Sequence, residues 1–403
     1  MIEILLISLT TFAYIKLSEY PTACGRKKVF DTSLLLVVPG LIGLLWFEVL
    51  SLTYSGRIKA FDVLQKINYD LTIQLCLSVI ILGICIRILN IRITKTSNNN
   101  FRKLIQNSNI TFLIIVAIIL SVLEKADISL AINKLLGDGA DIVITLLIVR
   151  FIFSRLNSSM NLISKMSSGV SFIFILIIYI LLTGDKGGIV TLLVPAALLY
   201  QFTKDTKPPS QWKSLLLIIL SGFILSIMNF AEGLMGPSSD LFINLTEIFE
   251  TDMLTNYFYI FYSPNCNLEA ATPFWEGATF LFNDSVQTND TIYMKKCFGE
   301  QYLAGHGKGF GLISESRLVF GSWSPIYYTI CAVQLILIVK FCLARLGAFG
   351  VLLYSQSAEI FYKLYRIDMT YTYINIFFNV CAIILILVAF QLALRASRTN
   401  YVA

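Results

Sequence analysis

The chain has 403 residues, of which 56% are hydrophobic and 14% charged, with a mean hydropathy of +0.75 and a net charge of +6. A soluble domain carries roughly 25% charged residues, so this composition excludes an ordinary soluble enzyme, and it equally excludes a disordered chain. The single histidine excludes a multi-histidine metal site, and the eight cysteines include no CxxC pair that would support a zinc ribbon or thioredoxin-type chemistry.

A bilayer core about 30 Å thick is crossed by roughly 20 apolar helical residues, or somewhat fewer when polar flanks snorkel. Runs of this kind lie at 2–16, 34–53, 71–90, 110–124, 139–154, 170–184, 187–203, 213–230, 326–343, 346–364 and 371–394. They predict an all-α polytopic membrane protein with about 11 transmembrane helices. The first run opens with Glu3 and leads to no clean small-residue cleavage site, so it reads as a span and not a signal peptide. The tenth run holds Gln356 and Glu359 and is the least apolar. It is expected either to be re-entrant or to lean on a polar cavity. The chain thus divides into an N-terminal transmembrane bundle at 1–230, a large loop with short helices at 231–325, and closing spans at 326–403.

Lys and Arg in the short loops set the orientation. One set of loops holds seventeen, among them Arg26, Lys27, Lys28, Arg102, Lys103 and Lys204; the opposite set holds eight. The richer side is expected to be the cytoplasm, which puts the N-terminus in the periplasm and the C-terminus inside. The mild basic excess is then a topology signal and not a nucleic-acid patch. Loop 231–325 falls on the outer face and contains eleven acidic against four basic residues. Its many aromatics, such as Tyr257, Phe261 and Trp275, predict that it folds and partly rests on the membrane. Long loops of this kind are usually functional. Cys266 and Cys297 are the two cysteines in it. In an oxidising compartment they are expected to pair, the alternative being two free buried thiols.

Polar residues gather at the outer ends of the spans, where charge is costly unless paired or used. Thr183-Gly184-Asp185-Lys186-Gly187-Gly188 makes a tight outer turn, in which Lys186 either satisfies Asp185 or binds an anion. Gly305-His306-Gly307-Lys308-Gly309-Phe310-Gly311 leads into Leu312-Ile313-Ser314-Glu315-Ser316-Arg317. A helix is expected to begin near Ser314 as N-cap, with free N–H groups that attract phosphate. The stretch lacks the Gly-Lys-Ser/Thr of a P-loop. His306 is structural or catalytic, and Glu315 either favours the helix dipole or acts as a working carboxylate. Tyr365-Arg366-Ile367-Asp368 forms the last outer turn, either as a surface Arg–Asp pair or with its guanidinium in the cavity that Arg317 reaches. Arginine suits diphosphate because its planar fork makes two parallel bonds.

These stretches resemble those of the Wzy-type O-antigen polymerases, the oligosaccharide repeat-unit polymerase family of bacteria. Gly184-Asp185-Lys186-Gly187 is similar to the family's Gly-Ser-Arg-Gly-like turn, with lysine where arginine is usual. Ile313-Ser314-Glu315 through Phe320-Gly321 is similar to its loop-to-span stretch, with Pro325 in place of a later glycine. Leu364-Tyr365-Arg366-Ile367-Asp368 is similar to its Arg-containing turn before the last span. The resemblance implies a GT-C-like architecture in the inner membrane. It also implies a metal-independent glycosyltransferase, without cofactor, that joins undecaprenyl-diphosphate-linked oligosaccharide repeat units at the periplasmic face. Arg317 and Arg366 would hold the diphosphate, with Lys186, Lys308 and Asp368 in the same binding site, and Glu315 or His306 would take the acceptor proton. The partners implied are the lipid-linked oligosaccharide, membrane lipids, a Wzz-type chain-length regulator and a Wzx-type flippase, with no nucleic acid. Two other readings are an O-antigen ligase using lipid A-core as acceptor and a lipid-linked oligosaccharide flippase.

Overall fold

The structure, a computed structural model, describes residues 2–18, 32–54, 59–89, 99–107, 110–126, 129–156, 188–203, 287–303, 310–365 and 367–399, with positions 257, 260, 261, 266, 268, 271–273 and 275. Among the described residues every regular element is helical. The α-helices are α1 (Ile2–Ser18), α2 (Val38–Tyr54), α3 (Lys59–Ile88), α4 (Asn99–Asn107), α5 (Ile110–Glu124) and α6 (Leu130–Leu156). They continue as α7 (Gly188–Thr203), α8 (Asn289–Leu303), α9 (Leu312–Phe320), α10 (Ser324–Arg345), α11 (Gly347–Lys363) and α12 (Met369–Thr399). A 3-10 turn at Thr32–Leu36 precedes α2. The expected spans 170–184 and 213–230 lie outside the described residues, as does most of loop 231–325.

Among the described residues three helical stretches are long and apolar enough to cross a membrane: Tyr69–Ile88, Leu312–Arg345 and Met369–Leu392. Apolar residues on outward surfaces fit that reading. The shorter apolar helix α5 buries Leu113 and Ala117 but exposes Ile114, Ile115, Ile118, Ile119 and Val122. α12 exposes Phe377, Ile384, Leu385 and Val388. Soluble monomers rarely present contiguous apolar stripes of this length, whereas helices apolar on every side belong in a core or in lipid.

The tenth run is a single helix, α11, and not a re-entrant hairpin. Val351 to Ala358 are all buried, because α11 packs against α7, α10 and α12 and the 3-10 turn. Its low apolar content follows from that position: it faces protein, where Ser355 and Ser357 bond back to the carbonyls of Leu352 and Tyr354 at 2.7 and 2.6 Å. α4 was not expected. Phe101 and Ile105 are buried and Arg102 and Lys103 exposed, an i, i+4 apolar stripe under a basic surface.

Two tyrosines, Tyr328 of α10 and Tyr365 in the turn before α12, meet at the 3-10 turn that precedes α2. Tyr328 and Tyr365 both donate to Leu36 O, the former at 2.8 Å. The Tyr365 ring lies on Gly40, where an added β-carbon would be 2.7 Å from ring atom Cζ. Both partners are buried, so the ring has no room to yield. Gly40→Ala is expected to destabilise the chain by about 1–3 kcal/mol, the usual cost of overpacking, and to lower the thermal midpoint in detergent. Gly40→Ala combined with Tyr365→Leu should recover part of that loss.

The described part of loop 231–325 forms a second small core from Ile260, Cys266, Leu268, Tyr293, Met294 and Phe310. Cys266 and Cys297 are joined by a disulfide, with Cα atoms 4.6 Å apart and a sequence separation of 31. Closing such a loop contributes about 3 kcal/mol in the chain-entropy account.

Candidate functional site

α9 begins at Leu312, not with Ser314 as N-cap. Gly311, at φ 76°, turns the chain into the helix, and the Leu312 N–H donates to Leu364 O at 2.9 Å. Tertiary contact therefore takes the place of the expected hydroxyl cap. Leu312 to Ser316 are all buried. This helix start is consequently not the open anion site expected from its glycine-rich approach.

Glu315 is fully buried, at 0% exposure. Its Oε1 accepts from Tyr327 Oη at 2.6 Å and its Oε2 from the Met369 N–H at 2.8 Å. One carboxylate thus ties α9 to α10 and to the start of α12. Asp368 is also fully buried and is not a surface partner for an arginine. Its Oδ1 accepts the Tyr371 N–H at 2.6 Å as N-cap of α12, and its Oδ2 accepts the Asp290 N–H at 3.0 Å in the first turn of α8. A single side chain therefore caps two helices, one in the closing bundle and one in the disulfide-bonded loop.

Asp290 extends this network by accepting the Phe310 N–H at 2.9 Å. Burial first, and then the Asp368 carboxylate, push the Asp290 carboxyl up to about 7, while the Phe310 N–H pulls it down. Burial likewise pushes Asp368 up, against the pull of the Tyr371, Asp290 and Asn289 N–H groups. An acid raised in this way binds more protons folded than unfolded. Its contribution is complete below its ordinary value of 3.8 and is lost as the pH climbs through about 7. Amide exchange at Phe310 and Ile292, corrected for intrinsic rates, should therefore show easier local opening at about pH 8 than at about pH 5. Asp290→Asn should flatten that difference.

Arg317 follows Glu315 by two residues on α9. Its side chain is 32% exposed, with Nη2 4.0 Å from Asp70 Oδ2 and Nη1 donating to Gly321 O at 3.4 Å. Asp70, on α3, has a 39% exposed side chain. The same Oδ2 accepts from Tyr257 Oη at 2.9 Å and from Gln74 Nε2 at 3.4 Å, and Gln74 Nε2 also donates to Tyr257 Oη at 2.9 Å. Burial, followed by the Asp70 charge, pushes the Tyr257 phenol up, so it stays a donor. An aromatic group stands beside this cluster. The exposed Trp275 ring is 6.3 Å from Phe320 and 6.0 Å from Tyr327, and Phe320 and Tyr327 are 5.2 Å apart.

Lys134, near the start of α6, lies 5.3 Å from the Tyr371 ring, and Lys363 at the end of α11 pairs with Glu359. Lys186, His306, Lys308 and Arg366 lie outside the described residues. Among the described residues no group of three or more His, Cys, Asp or Glu side chains is arranged to hold a metal ion.

The sequence does not single out Asp70, Gln74 or Tyr327, and it marks Tyr257 only as one of the loop aromatics. The available signal was Asp70 and Gln74 at i, i+4 on one face at the mouth of a span, where polar residues are functional candidates. Compared with protein-family models, curated proteins and solved structures, the chain matches none.

Proposed function

We propose that this chain polymerises oligosaccharide repeat units carried on undecaprenyl diphosphate, at the periplasmic face of the inner membrane. The observation that carries the reading is the part-exposed Arg317 guanidinium, 4.0 Å from the Asp70 carboxylate near the start of a long apolar helical run, on the same short helix as Phe320, whose ring lies 6.3 Å from the exposed Trp275. A lipid-linked sugar donor needs these three environments side by side: lipid along its tail, a cation at its diphosphate, and a wet, partly aromatic surface for its sugars. The reading carries with it about 11 spans in a GT-C-like arrangement, with the N-terminus periplasmic and the C-terminus cytoplasmic.

In the proposed reaction an acceptor hydroxyl attacks the anomeric carbon of the growing glycan. The carbon–oxygen bond to diphosphate breaks, and undecaprenyl diphosphate departs with the electron pair. Arg317 spreads the developing charge, and Arg366, Lys186 and Lys308 add to the cationic site. Each preorganised donor of this kind is worth about 10²–10³ in rate. His306 contacts the acceptor. Glu315 and Asp368 hold the helix ends that aim these groups.

Expression in a polymerase-null strain tests the reading. A ladder of glycan chain lengths is expected, and a single repeat unit on lipid A-core contradicts it. A reporter fused after Asn283 should be active in the periplasm; activity in the cytoplasm would overturn the orientation.

A further inference from the structure

The two carboxylates nearest Arg317 are in opposite situations. Glu315 is fully buried and both of its oxygens are occupied, by Tyr327 Oη and the Met369 N–H. Asp70 is 39% exposed, and all of its hydrogen bonds among the described residues converge on Oδ2. Tyr257 and Gln74 approach that one oxygen and also bond to each other, which fixes the carboxylate plane. Oδ1 has no partner among the described residues. Gln74 Oε1, buried beside it, also has no hydrogen-bond partner among the described residues. A held carboxylate with one free oxygen suits a ligand that brings a hydroxyl donor. Arg317 lies 4.0 Å from the occupied oxygen, so a cation for a departing anion and an acceptor for a proton stand side by side.

We propose that Asp70 is the catalytic base that takes the proton of the acceptor sugar hydroxyl, with Tyr257 and Gln74 as its positioning residues. This rests on the polymerase reading above. As the hydroxyl oxygen bonds to the anomeric carbon, its proton moves to Asp70 Oδ1. The bond from that carbon to the diphosphate oxygen breaks, and the lipid diphosphate leaves as the anion beside Arg317. Protons and charge balance without an oxidant or metal, and Asp70 returns its proton to water. Tyr257 and Gln74 donate to Oδ2 throughout, so neither needs to change its protonation state.

The test uses the full-length protein in proteoliposomes with a polyprenyl-diphosphate-linked repeat unit as donor and acceptor. Turnover at saturating substrate and donor binding are measured for the wild type, Asp70→Asn, Asp70→Glu and Tyr257→Phe. The expected result is a ladder from the wild type and a loss of about 10²–10⁴-fold in turnover for Asp70→Asn with donor binding unchanged. Asp70→Glu should recover part of the rate, and Tyr257→Phe should lose less than Asp70→Asn while shifting the acidic limb of the rate–pH profile. If the wild type makes a ladder and Asp70→Asn matches it, the base assignment is wrong and the polymerase reading stands. If Asp70→Asn only weakens donor binding, Asp70 merely holds Arg317, and the assignment is again wrong. If the wild type makes no ladder, both fall.

Discussion

Glu315→Ala is expected to unfold the outer end of the bundle, with loss of folded protein after detergent extraction. The substitution leaves Tyr327 Oη and the Met369 N–H buried without their acceptor. A buried polar group stripped of its partner costs about 1–3 kcal/mol, and here there are two, at a site with no access to water. The cavity left by the side chain adds to the loss. Glu315→Gln keeps the volume: its amide oxygen can accept from Met369 while its NH2 donates to Tyr327 Oη. Thermal unfolding in detergent should therefore rank Gln close to the wild type and Ala far below. An alanine variant as stable as the wild type would mean that this carboxylate does not hold the three helices together.

Arg317→Ala should behave in the opposite way, retaining the fold and losing the activity. The guanidinium is part-exposed and 4.0 Å from its carboxylate partner, a geometry worth about 0–1 kcal/mol to stability. Its proposed task lies in the transition state, where removing one preorganised charge typically costs about 10²–10³ in rate. Arg317→Lys keeps the charge but loses the two-pronged fork, so it should not restore full polymerisation. The measurement is chain-length laddering at matched membrane expression. Wild-type ladders from Arg317→Ala would remove Arg317 from the diphosphate site.

What could be read from the sequence followed from periodicity and bulk apolarity. The runs at 326–343 and 371–394 became α10 and α12, because in lipid a long apolar segment must satisfy its backbone internally, and the less apolar run at 346–364 became α11, packed against its neighbours. The short runs at 110–124 and 187–203 also match helices, α5 and α7. Cys266 and Cys297 stood apart from the other cysteines in the outer loop, and they are the bonded pair. Tertiary partners were not legible. Nothing local announces that Leu364 O would cap Leu312, so the local pattern points to Ser314 as the helix start. Nor does the sequence show that one Asp368 would cap α8 and α12 together across 78 residues, or that Tyr257 would meet Asp70 across 187. Glu315 and Asp368 drew notice as charges at span ends, where charge must be paired or used. The structure gives both of them helix ends to hold, while the exposed carboxylate is one that no motif marked.

The most direct measurement is a reconstitution. The purified chain in liposomes is given a single lipid substrate, a repeat-unit oligosaccharide on undecaprenyl diphosphate, and both the glycan products and free undecaprenyl diphosphate are followed over time. The account predicts glycans lengthening in steps of one repeat unit, with one undecaprenyl diphosphate released for each new bond. Free diphosphate that never exceeds background, with lipid-linked units merely changing sides of the membrane or reacting only once lipid A-core is supplied, would contradict it.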